Sequence, residues 1–444
     1  MKETVFAFLE TLNKTQFMPP AAMQAHQREL LEPLVRHAHA NVPFYRDSGR
    51  LAPLFRNDGS IDWDAWPRIP LLTRSEVRAA GNALRSPELP SHHGGTQVLS
   101  TSGSTGEPVQ VAHSQLAGDL VWPALMLRAL NWYGLDPTSR FARVGTFPRE
   151  KPPLSTPRHR KGWVVQFELM EIFGPRLDLP ESLGLPTILE HLIEFRPNCL
   201  SINPVELELL TGWDKDRRLR SLGPIVIMTS ADRLMDSTRD VIVHEYGWRS
   251  LNIYASNECG LMATCCPQCG QFHVHSETTL IELLSDDDRP ASPGQLGWVV
   301  ATPLYNYAMP LIRYDHADQA MSPHWHGCER ALPALSTVVG KEPVIFEFSG
   351  GFRMRPVLPA SRVIDYLGAL AFQVAQTGED RCEFRFVPGT MPREQMDFTA
   401  MTALLRQQWW QDLKVDYRPM DELPGARTRV KIPIFVREMT AGPD

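Results

Sequence analysis

Between about residue 96 and residue 335, short apolar stretches rich in β-branched residues alternate with helical ones, and this alternation limits the fold more than any other feature. TQVLSTS, FARVGTF, CLSIN, PIVIMTS and SLNIYAS are typical of strands, and helical patterns separate several of them. Such a chain favours a largely parallel sheet with helices on its faces. Residues 1 to about 95 are helical and rich in loops, and we expect them to cover this sheet.

The pattern changes in two places after the alternating region. In TTLIELLSDDDRPASPGQLGWVVATPL, two strands flank an acidic turn, which predicts an antiparallel appendage. From residue 340, the pattern predicts helices at SRVIDYLGALAF and TALLRQQWWQDL and strands at CEFRFV and RVKIPIFV. We therefore predict an α/β protein. Its large domain, residues 1–339, has mainly parallel sheets flanked by helices plus a small antiparallel appendage, and a small mobile α+β domain of residues 340–444 follows.

Charge and cysteine content exclude several classes of protein. The 45 Lys and Arg against 51 Asp and Glu give a net charge of -6, so no bulk positive field attracts nucleic acid or an anionic membrane. No apolar run approaches the ~18 residues that a membrane helix requires, and the first residues lack the apolar core of a secretory signal. Seven cysteines, an odd number, do not resemble a secreted disulfide framework. We expect a cytoplasmic protein that binds neither nucleic acid nor membrane.

The segment STSGSTGEP, residues 100–108, carries the strongest chemical signal. It contains five hydroxyl side chains and two glycines and lies between two β-like stretches, which predicts a tight exposed turn. Gly103 and Gly106 allow a left-handed backbone and close approach, and the amides and hydroxyls of Ser102, Ser104 and Thr105 would converge on a phosphate chain. No Walker lysine follows the segment. A flexible Ser/Gly linker is the alternative interpretation.

STSGSTGEP resembles the phosphate-binding loop of the acyl-adenylate-forming enzymes, which join a carboxylate to ATP with loss of pyrophosphate and pass the acyl group to a second nucleophile. RHAHANVPFYRD (36–47) and RIPLLTRSEVR (68–78) are similar to N-terminal signatures of the phenylacetate–coenzyme A ligase-like branch. TSADRL (229–234), YASNECG (254–260) and MPLIRYDHAD (309–318) resemble its adenine, magnesium and ribose segments. The resemblance implies ATP, Mg²⁺ and coenzyme A as cofactors.

The resemblance also implies a role for single residues. It makes Glu258 the magnesium-binding carboxylate and Asp318 the carboxylate that holds the ribose hydroxyls. Asn257 stands where the family has Ser or Thr and could donate a hydrogen bond to a phosphate. The nucleotide contacts that it implies are Ser102, Gly103, Ser104, Thr105, Gly106, Ser230, Ala231, Tyr254, Asn257 and Asp318, with Tyr254 stacking on adenine and Ser230 and Ala231 lining the base.

Several segments depart from the family pattern. The ribose motif ends in DHAD, residues 315–318, where the family has Arg-Thr-Gly-Asp. The hinge reads GKEP, residues 340–343, and its proline would restrict rotation of the small domain. The C-terminal catalytic lysine of the family corresponds best to Lys431, although the Gly-Lys pair of the motif is absent and Arg429 competes for the position.

The segment CCPQCGQFHVH, residues 265–275, predicts a metal site. Cys266 and Cys269 have the spacing that lets a tight turn bring two thiolates to one Zn²⁺, and a histidine lies within reach. By resemblance to the branch, Cys266 and His273 form one ligand pair and HGCER, residues 326–330, supplies more, with His326 in place of a cysteine. Five candidates thus compete for four positions of a structural zinc: Cys266, Cys269, His273, His326 and Cys328. Free or buried thiols are the alternative.

Together these features indicate an AMP-forming acid–thiol ligase that adenylates a small aromatic or cyclic carboxylic acid and transfers the acyl group to coenzyme A. Transfer to an amine, a hydroxyl or a carrier thiol is a second interpretation, which the altered hinge and C-terminal segment favour. A third is a non-catalytic nucleotide-binding or scaffold homologue. The sequence leaves open whether the protein forms a homodimer.

Overall fold

The computed structural model describes residues 1–100, 109–147, 154–230, 234–324, 327–339, 344–356, 358, 360–424 and 433–439. Within these ranges the chain forms eleven α-helices: α1 (Lys2–Thr15), α2 (Pro20–Asn41), α3 (Pro43–Ser48), α4 (Arg74–Ala80), α5 (Trp122–Trp132), α6 (Val165–Leu169), α7 (Leu185–Phe195), α8 (Pro204–Trp213), α9 (Asp236–Asp240), α10 (Ala360–Leu367) and α11 (Phe398–Gln408). Short π-helical segments lie at Ala117–Val121 and Val241–Glu245. Turns of 3-10 helix lie at Ala52–Leu54, Trp63–Arg68, Gly81–Leu84, Ser91–His93, Glu181–Leu183, Arg218–Leu222, Ser349–Gly351 and Arg393–Gln395. None of the described helices is both long and apolar enough to cross a membrane.

The same ranges contain twenty-one strands. They are β1 (Thr96–Ser100), β2 (Gln110–Ser114), β3 (Phe141–Gly145), β4 (Arg158–Lys161), β5 (Pro175–Pro180), β6 (Cys199–Ser201), β7 (Val226–Thr229), β8 (Arg249–Ser256), β9 (Gly260–Cys265), β10 (Phe272–Val274), β11 (Thr279–Leu284), β12 (Leu296–Pro303), β13 (Tyr314–Met321), β14 (Ala334–Leu335), β15 (Thr337–Val339), β16 (Phe346–Phe348), β17 (Phe352–Met354), β18 (Ala369–Gly378), β19 (Arg381–Pro388), β20 (Lys414–Pro419) and β21 (Phe435–Arg437).

The main sheet has the strand order β14-β10-β9-β8-β7-β6-β3-β5-β4. Its centre, from β5 through β3, β6 and β7 to β8, is parallel, whereas β4 and the strands beyond β8 pair antiparallel. Helices connect the parallel strands because a parallel pair needs a crossover connection. This arrangement confirms the predicted α/β fold class.

Three smaller sheets accompany the main sheet. Strands β11, β12, β13 and β15 form an antiparallel sheet, which is the predicted appendage. Strands β1 and β2 form an antiparallel hairpin in which the last described pair is residue 100 with residue 110. The phosphate-loop segment predicted from the sequence therefore connects two paired strands, and its residues 101–108 lie outside the described part of the chain. Strands β16 and β17 form the third small sheet.

The C-terminal part has its own sheet, with the order β20-β19-β18-β21, and its own core. Phe346, Phe372, Phe384 and Trp409 are buried together in this core, which shares no member with the three clusters built from earlier residues. The predicted boundary at residues 339 and 340 stays a prediction, since residues 340–343 lie outside the described ranges.

Two predicted helices end earlier than their sequence patterns indicated. The helix expected over residues 361–372 ends at Leu367, because Gly368 takes φ +56° and the chain then enters β18. A Cβ at Gly368 would lie 2.3 Å from the Met391 side chain, so this position also requires a residue that has no side chain. The helix expected over residues 402–413 ends at Gln408, and Trp409 after it packs into the core.

Candidate active site

One cleft of about 1520 Å³ gathers most of the described residues predicted to bind nucleotide. Ser230 follows β7, and Asn257 and Glu258 follow β8, so all three lie at the carboxyl ends of neighbouring parallel strands. Ligands of open α/β sheets bind at this edge, because loops there can diverge and leave a crevice. Tyr254 and Asp318 line the same cleft.

Glu258 lies in the turn between β8 and β9 and is 5% exposed. Its Oε1 accepts a hydrogen bond from Arg74 Nη1 at 2.8 Å, and the Tyr314 hydroxyl lies 3.4 Å from the same oxygen. A carboxylate oxygen is a ligand that Mg²⁺ accepts, and the Arg74 guanidinium pairs with this buried carboxylate at the cleft. The residue therefore fits the predicted magnesium ligand, and the role stays a prediction.

Tyr254 and Asp318 are joined directly. The Tyr254 hydroxyl donates to Asp318 Oδ2 at 3.1 Å and lies 3.2 Å from His316 Nδ1. His316 Nδ1 in turn lies 2.6 Å from Asp318 Oδ2. Burial raises the pKa of the Tyr254 hydroxyl well above its ordinary value, and the neighbouring Asp318 charge adds to this, so the hydroxyl remains a donor. Tyr254 and His316 together hold the Asp318 carboxylate in one orientation beside the cleft.

One residue of the altered ribose motif, Ala317, has a left-handed backbone conformation. Ala317 has φ +56° at the position where the family has glycine, and its amide donates to Asp315 Oδ1 at 3.0 Å. The pairing of β12 and β13 shifts between Trp298 and Val300, so that Ala317 lies in a bulge of β13. The bulge is thus made without glycine, at the cost of a conformation that alanine rarely adopts.

Asn257 is held through its backbone. Nε2 of His113, on β2, lies 2.6 Å from the Asn257 carbonyl oxygen. Burial lowers the pKa of His113, which favours a neutral ring that donates through Nε2. The contact ties the β1–β2 hairpin, which carries the phosphate-loop segment, to the turn that carries Glu258.

Several predicted site residues lie outside the described part of the chain. They are Ser102, Gly103, Ser104, Thr105, Gly106, Ala231, His326 and Lys431. Their roles stay predictions. Ser230, the described residue before Ala231, is exposed and lines the cleft.

The predicted metal ligands come together. Ligand atoms of Cys266, Cys269, His273 and Cys328 all lie within 4.8 Å of one another. Two thiols come from the turn after β9, the imidazole from β10 and the third thiol from a segment 62 residues after Cys266. Three sulfurs and one nitrogen form the donor set of a tetrahedral structural zinc site, so these residues fit the metal.

The surroundings of this cluster orient its members. His273 Nδ1 lies 3.0 Å from the Leu332 carbonyl oxygen, which fixes Nε2 toward Cys269 at 3.5 Å. Arg330 Nη1 lies 3.2 Å from Cys266 Sγ and would offset thiolate charge. The four residues come from the turn after β9, from β10 and from the segment before β14, so a metal bound to them would connect these three parts of the chain.

Two comparisons with known proteins found similarity in sequence and in fold, and a third found none. A scan against models of protein families found no match. Phenylacetate-coenzyme A ligase of Thermus thermophilus is 26% identical over 322 residues, which cover 68% of this chain. The match spans 66% of that enzyme, just under two thirds of its length.

The predicted resemblance to the acyl-adenylate-forming enzymes is confirmed. Solved structures of 2-hydroxyisobutyryl-CoA ligase share the fold. One, in complex with 2-HIB-AMP and CoA, has a TM-score of 0.62 at 17% identity and covers 96% of this chain and 92% of its own. Another, in the postadenylation state, has a TM-score of 0.59 at 16% identity. That match covers 96% of this chain and 91% of the other chain. The predicted class of enzyme, an AMP-forming acyl-CoA ligase or a relative, agrees with the sequence match to phenylacetate-coenzyme A ligase.

Sequence reasoning assigned no role to Arg74, His113 or Arg330, although each contacts a predicted site residue. Arg74 lies inside the signature RIPLLTRSEVR, so a signal was available, but nothing local relates it to Glu258. His316 was noted only as a departure from the family motif, and it bonds both Tyr254 and Asp318.

Proposed function

We propose that this protein adenylates a small carboxylic acid with ATP and transfers the acyl group to coenzyme A. The observation that carries the proposal is the Arg74–Glu258 pair and the Tyr254–Asp318 pair in one cleft, next to the hairpin with the phosphate-loop segment. The match to phenylacetate-coenzyme A ligase supports the reaction class. It gives weaker support for an aromatic acid, which we propose as the substrate class.

In the proposed reaction each described side chain has a binding task. Asp318, oriented by Tyr254 and His316, would accept hydrogen bonds from the ribose hydroxyls of ATP. Glu258 would hold Mg²⁺, which when bound neutralises phosphate charge during attack by the acid. Arg74 would hold the Glu258 side chain in place at the cleft through their ion pair. Holding these groups in place lowers the entropic cost of the two-substrate step.

Further residues, some of them outside the described ranges, complete the proposal. Ser102–Gly106 would contact the phosphates, Ser230 and Ala231 would line adenine, and Lys431 would neutralise charge between the acid and the α-phosphate. Cys266, Cys269, His273 and Cys328 would hold a structural zinc that fastens β9 and β10 to the following segment.

Acid-dependent exchange of labelled pyrophosphate into ATP tests the first half-reaction without any assumption about the acceptor. We expect exchange with at least one aromatic acid, such as phenylacetate or benzoate, and none without acid. No exchange across a broad panel of acids would favour a non-catalytic nucleotide-binding homologue.

Product analysis then tests the acceptor. We expect an acyl-coenzyme A thioester when coenzyme A is added to an acid that supports exchange. If exchange occurs and no thioester forms, transfer to an amine, a hydroxyl or a carrier thiol becomes the better proposal.

A further inference from the structure

A buried asparagine fixes the part of β2 that faces the cleft. Asn306, in the loop after β12, is 2% exposed, and its side chain bonds the strand twice. Its Oδ1 accepts from the Ser114 amide at 3.1 Å, and its Nδ2 donates to the Ala112 carbonyl oxygen at 2.9 Å. These two residues flank His113, which lines the cleft. The strand therefore presents His113 from a backbone that is held on both sides.

His113 extends this fixed position to a second loop of the cleft. Its Nε2 lies 2.6 Å from the Asn257 carbonyl oxygen, and because a carbonyl oxygen can only accept, Nε2 carries the proton and donates. Asn257 directly precedes Glu258 in the turn between β8 and β9. The imidazole thus holds the backbone next to the carboxylate to which we assign magnesium binding.

The Glu258 side chain is held from other elements. Arg74 donates to Oε1 at 2.8 Å, and the Tyr314 hydroxyl lies 3.4 Å from the same oxygen. A divalent cation bound to this carboxylate would repel the Arg74 guanidinium, so that ion pair would weaken as the metal binds. The contact with His113 acts on the backbone instead, and it does not depend on the charge of the carboxylate.

The same hairpin leads to the predicted phosphate segment. Strands β1 and β2 pair from Thr96 with Ser114 as far as residue 100 with residue 110, and residues 101–108 come between them in the chain. A bond from β2 to the turn that carries Glu258 therefore sets the separation between the base of this hairpin and the metal-binding carboxylate.

We propose that His113 is a positioning residue that couples metal binding at Glu258 to nucleotide binding in the cleft. The inference rests on the proposed function, which assigns Mg²⁺ to Glu258 and ATP to the cleft. His113 acts through the Asn257 backbone rather than on either ligand. Its loss should therefore weaken the effect of Mg²⁺ on nucleotide affinity more than it weakens binding of the nucleotide alone.

Three substitutions separate this role from simple support of the strand. His113→Leu removes the donor and keeps a side chain of similar size, whereas His113→Gln supplies an amide donor of similar reach. Gln110→Leu is the matched control on the same strand. Gln110 is exposed, accepts from Arg85 at 3.0 Å and is not among the described residues that line the cleft. Thermal melting checks that each variant is folded.

Calorimetric titration with α,β-methylene-ATP measures the coupling without turnover, because a methylene group replaces the oxygen of the bond that adenylation breaks. Each protein is titrated once with excess Mg²⁺ and once with EDTA. We expect Mg²⁺ to tighten binding to the wild type, and His113→Leu to reduce this gain by about fivefold, which is what such a hydrogen bond carries. The affinity in EDTA should stay close to the wild-type value. His113→Gln should keep most of the gain, and Gln110→Leu should keep all of it.

The outcomes distinguish failure of the inference from failure of the proposed function. A full gain in His113→Leu, an equal loss of affinity with Mg²⁺ and with EDTA, or a His113→Gln variant no better than His113→Leu would overturn the inference. A wild-type protein that does not bind the analogue would contradict the proposed function and the inference together. Coupling that depends on His113, in a protein without acid-dependent pyrophosphate exchange, would contradict the proposed function alone.

Discussion

Arg74 and Glu258 are 184 residues apart in the chain, and Arg74 Nη1 lies 2.8 Å from Glu258 Oε1. Arg74 is the first residue of α4, and a capping box formed by Thr73 and Glu76 fixes where that helix begins. Arg50 also bonds Glu76 Oε1 at 2.7 Å. The N-terminal layer therefore positions a cation on the carboxylate to which we assign magnesium binding.

Glu258→Gln should leave the protein folded and lower pyrophosphate exchange by about 100-fold or more, because the amide is a much poorer Mg²⁺ ligand and loses the charge that Arg74 pairs with. Initial exchange rates at saturating acid measure the effect. Glu190→Gln is the control, since Glu190 pairs with Arg218 on the exposed surface and does not line the cleft. Exchange at the wild-type rate in Glu258→Gln would contradict the magnesium assignment.

Cys266→Ser should remove most of a bound zinc, from about one equivalent per chain, and lower the Tm. The physical reason is that three thiolates and an imidazole share the metal, and its binding contributes to folding. Metal analysis of protein purified without chelator measures the content. Cys265→Ser is the matched control, because the adjacent thiol is not among the clustered ligands. Wild-type protein without zinc, or equal losses in both variants, would refute the site.

Ala317→Gly should stabilise the protein by about 0.5–1 kcal/mol, since glycine adopts φ near +56° without the steric cost that alanine meets there. Urea unfolding measures the change. Ala320→Gly lies on the same strand, is fully buried and has no positive φ, so it should destabilise the protein instead. Destabilisation by both changes would mean that the Ala317 backbone is not strained.

Glu206 should make stability depend on pH. Burial, together with the charge of Glu181, raises the pKa of this carboxyl from about 4.5 to about 8. The folded chain keeps a proton that the unfolded chain releases, so this contribution to stability is full below pH 4.5 and is lost as pH rises toward 8.

Glu206→Gln removes that titration, so the variant should gain Tm relative to the wild type at pH 8.5 and gain less at pH 5. Glu208→Gln, two residues further along α8, is the control, because Glu208 pairs with Arg353 and is partly exposed. A difference between variant and wild type that does not change with pH would show that Glu206 titrates normally.

Local features of the chain were predictable where the information lies within a few residues. The spacing of CCPQC and the nearby His273 predicted a metal cluster, the family resemblance pointed to Cys328, and the structure brings these four ligands together. The alternation of strand and helix patterns predicted the parallel centre of the main sheet, because hydrophobic periodicity records which face of an element is buried. Helix ends were predicted less well: a glycine at position 368 turned the chain where apolar residues continued.

The sequence by itself determined the family resemblance, the fold class and which segments are predicted to bind nucleotide, since each depends on short motifs and on periodicities within single elements. Only the tertiary structure decided that Arg74 meets Glu258, that His316 joins Tyr254 to Asp318, and that His113 meets Asn257. Strand order and register set these contacts, and both follow from how elements pack together across the chain. The spacing of residues along the sequence does not predict these contacts.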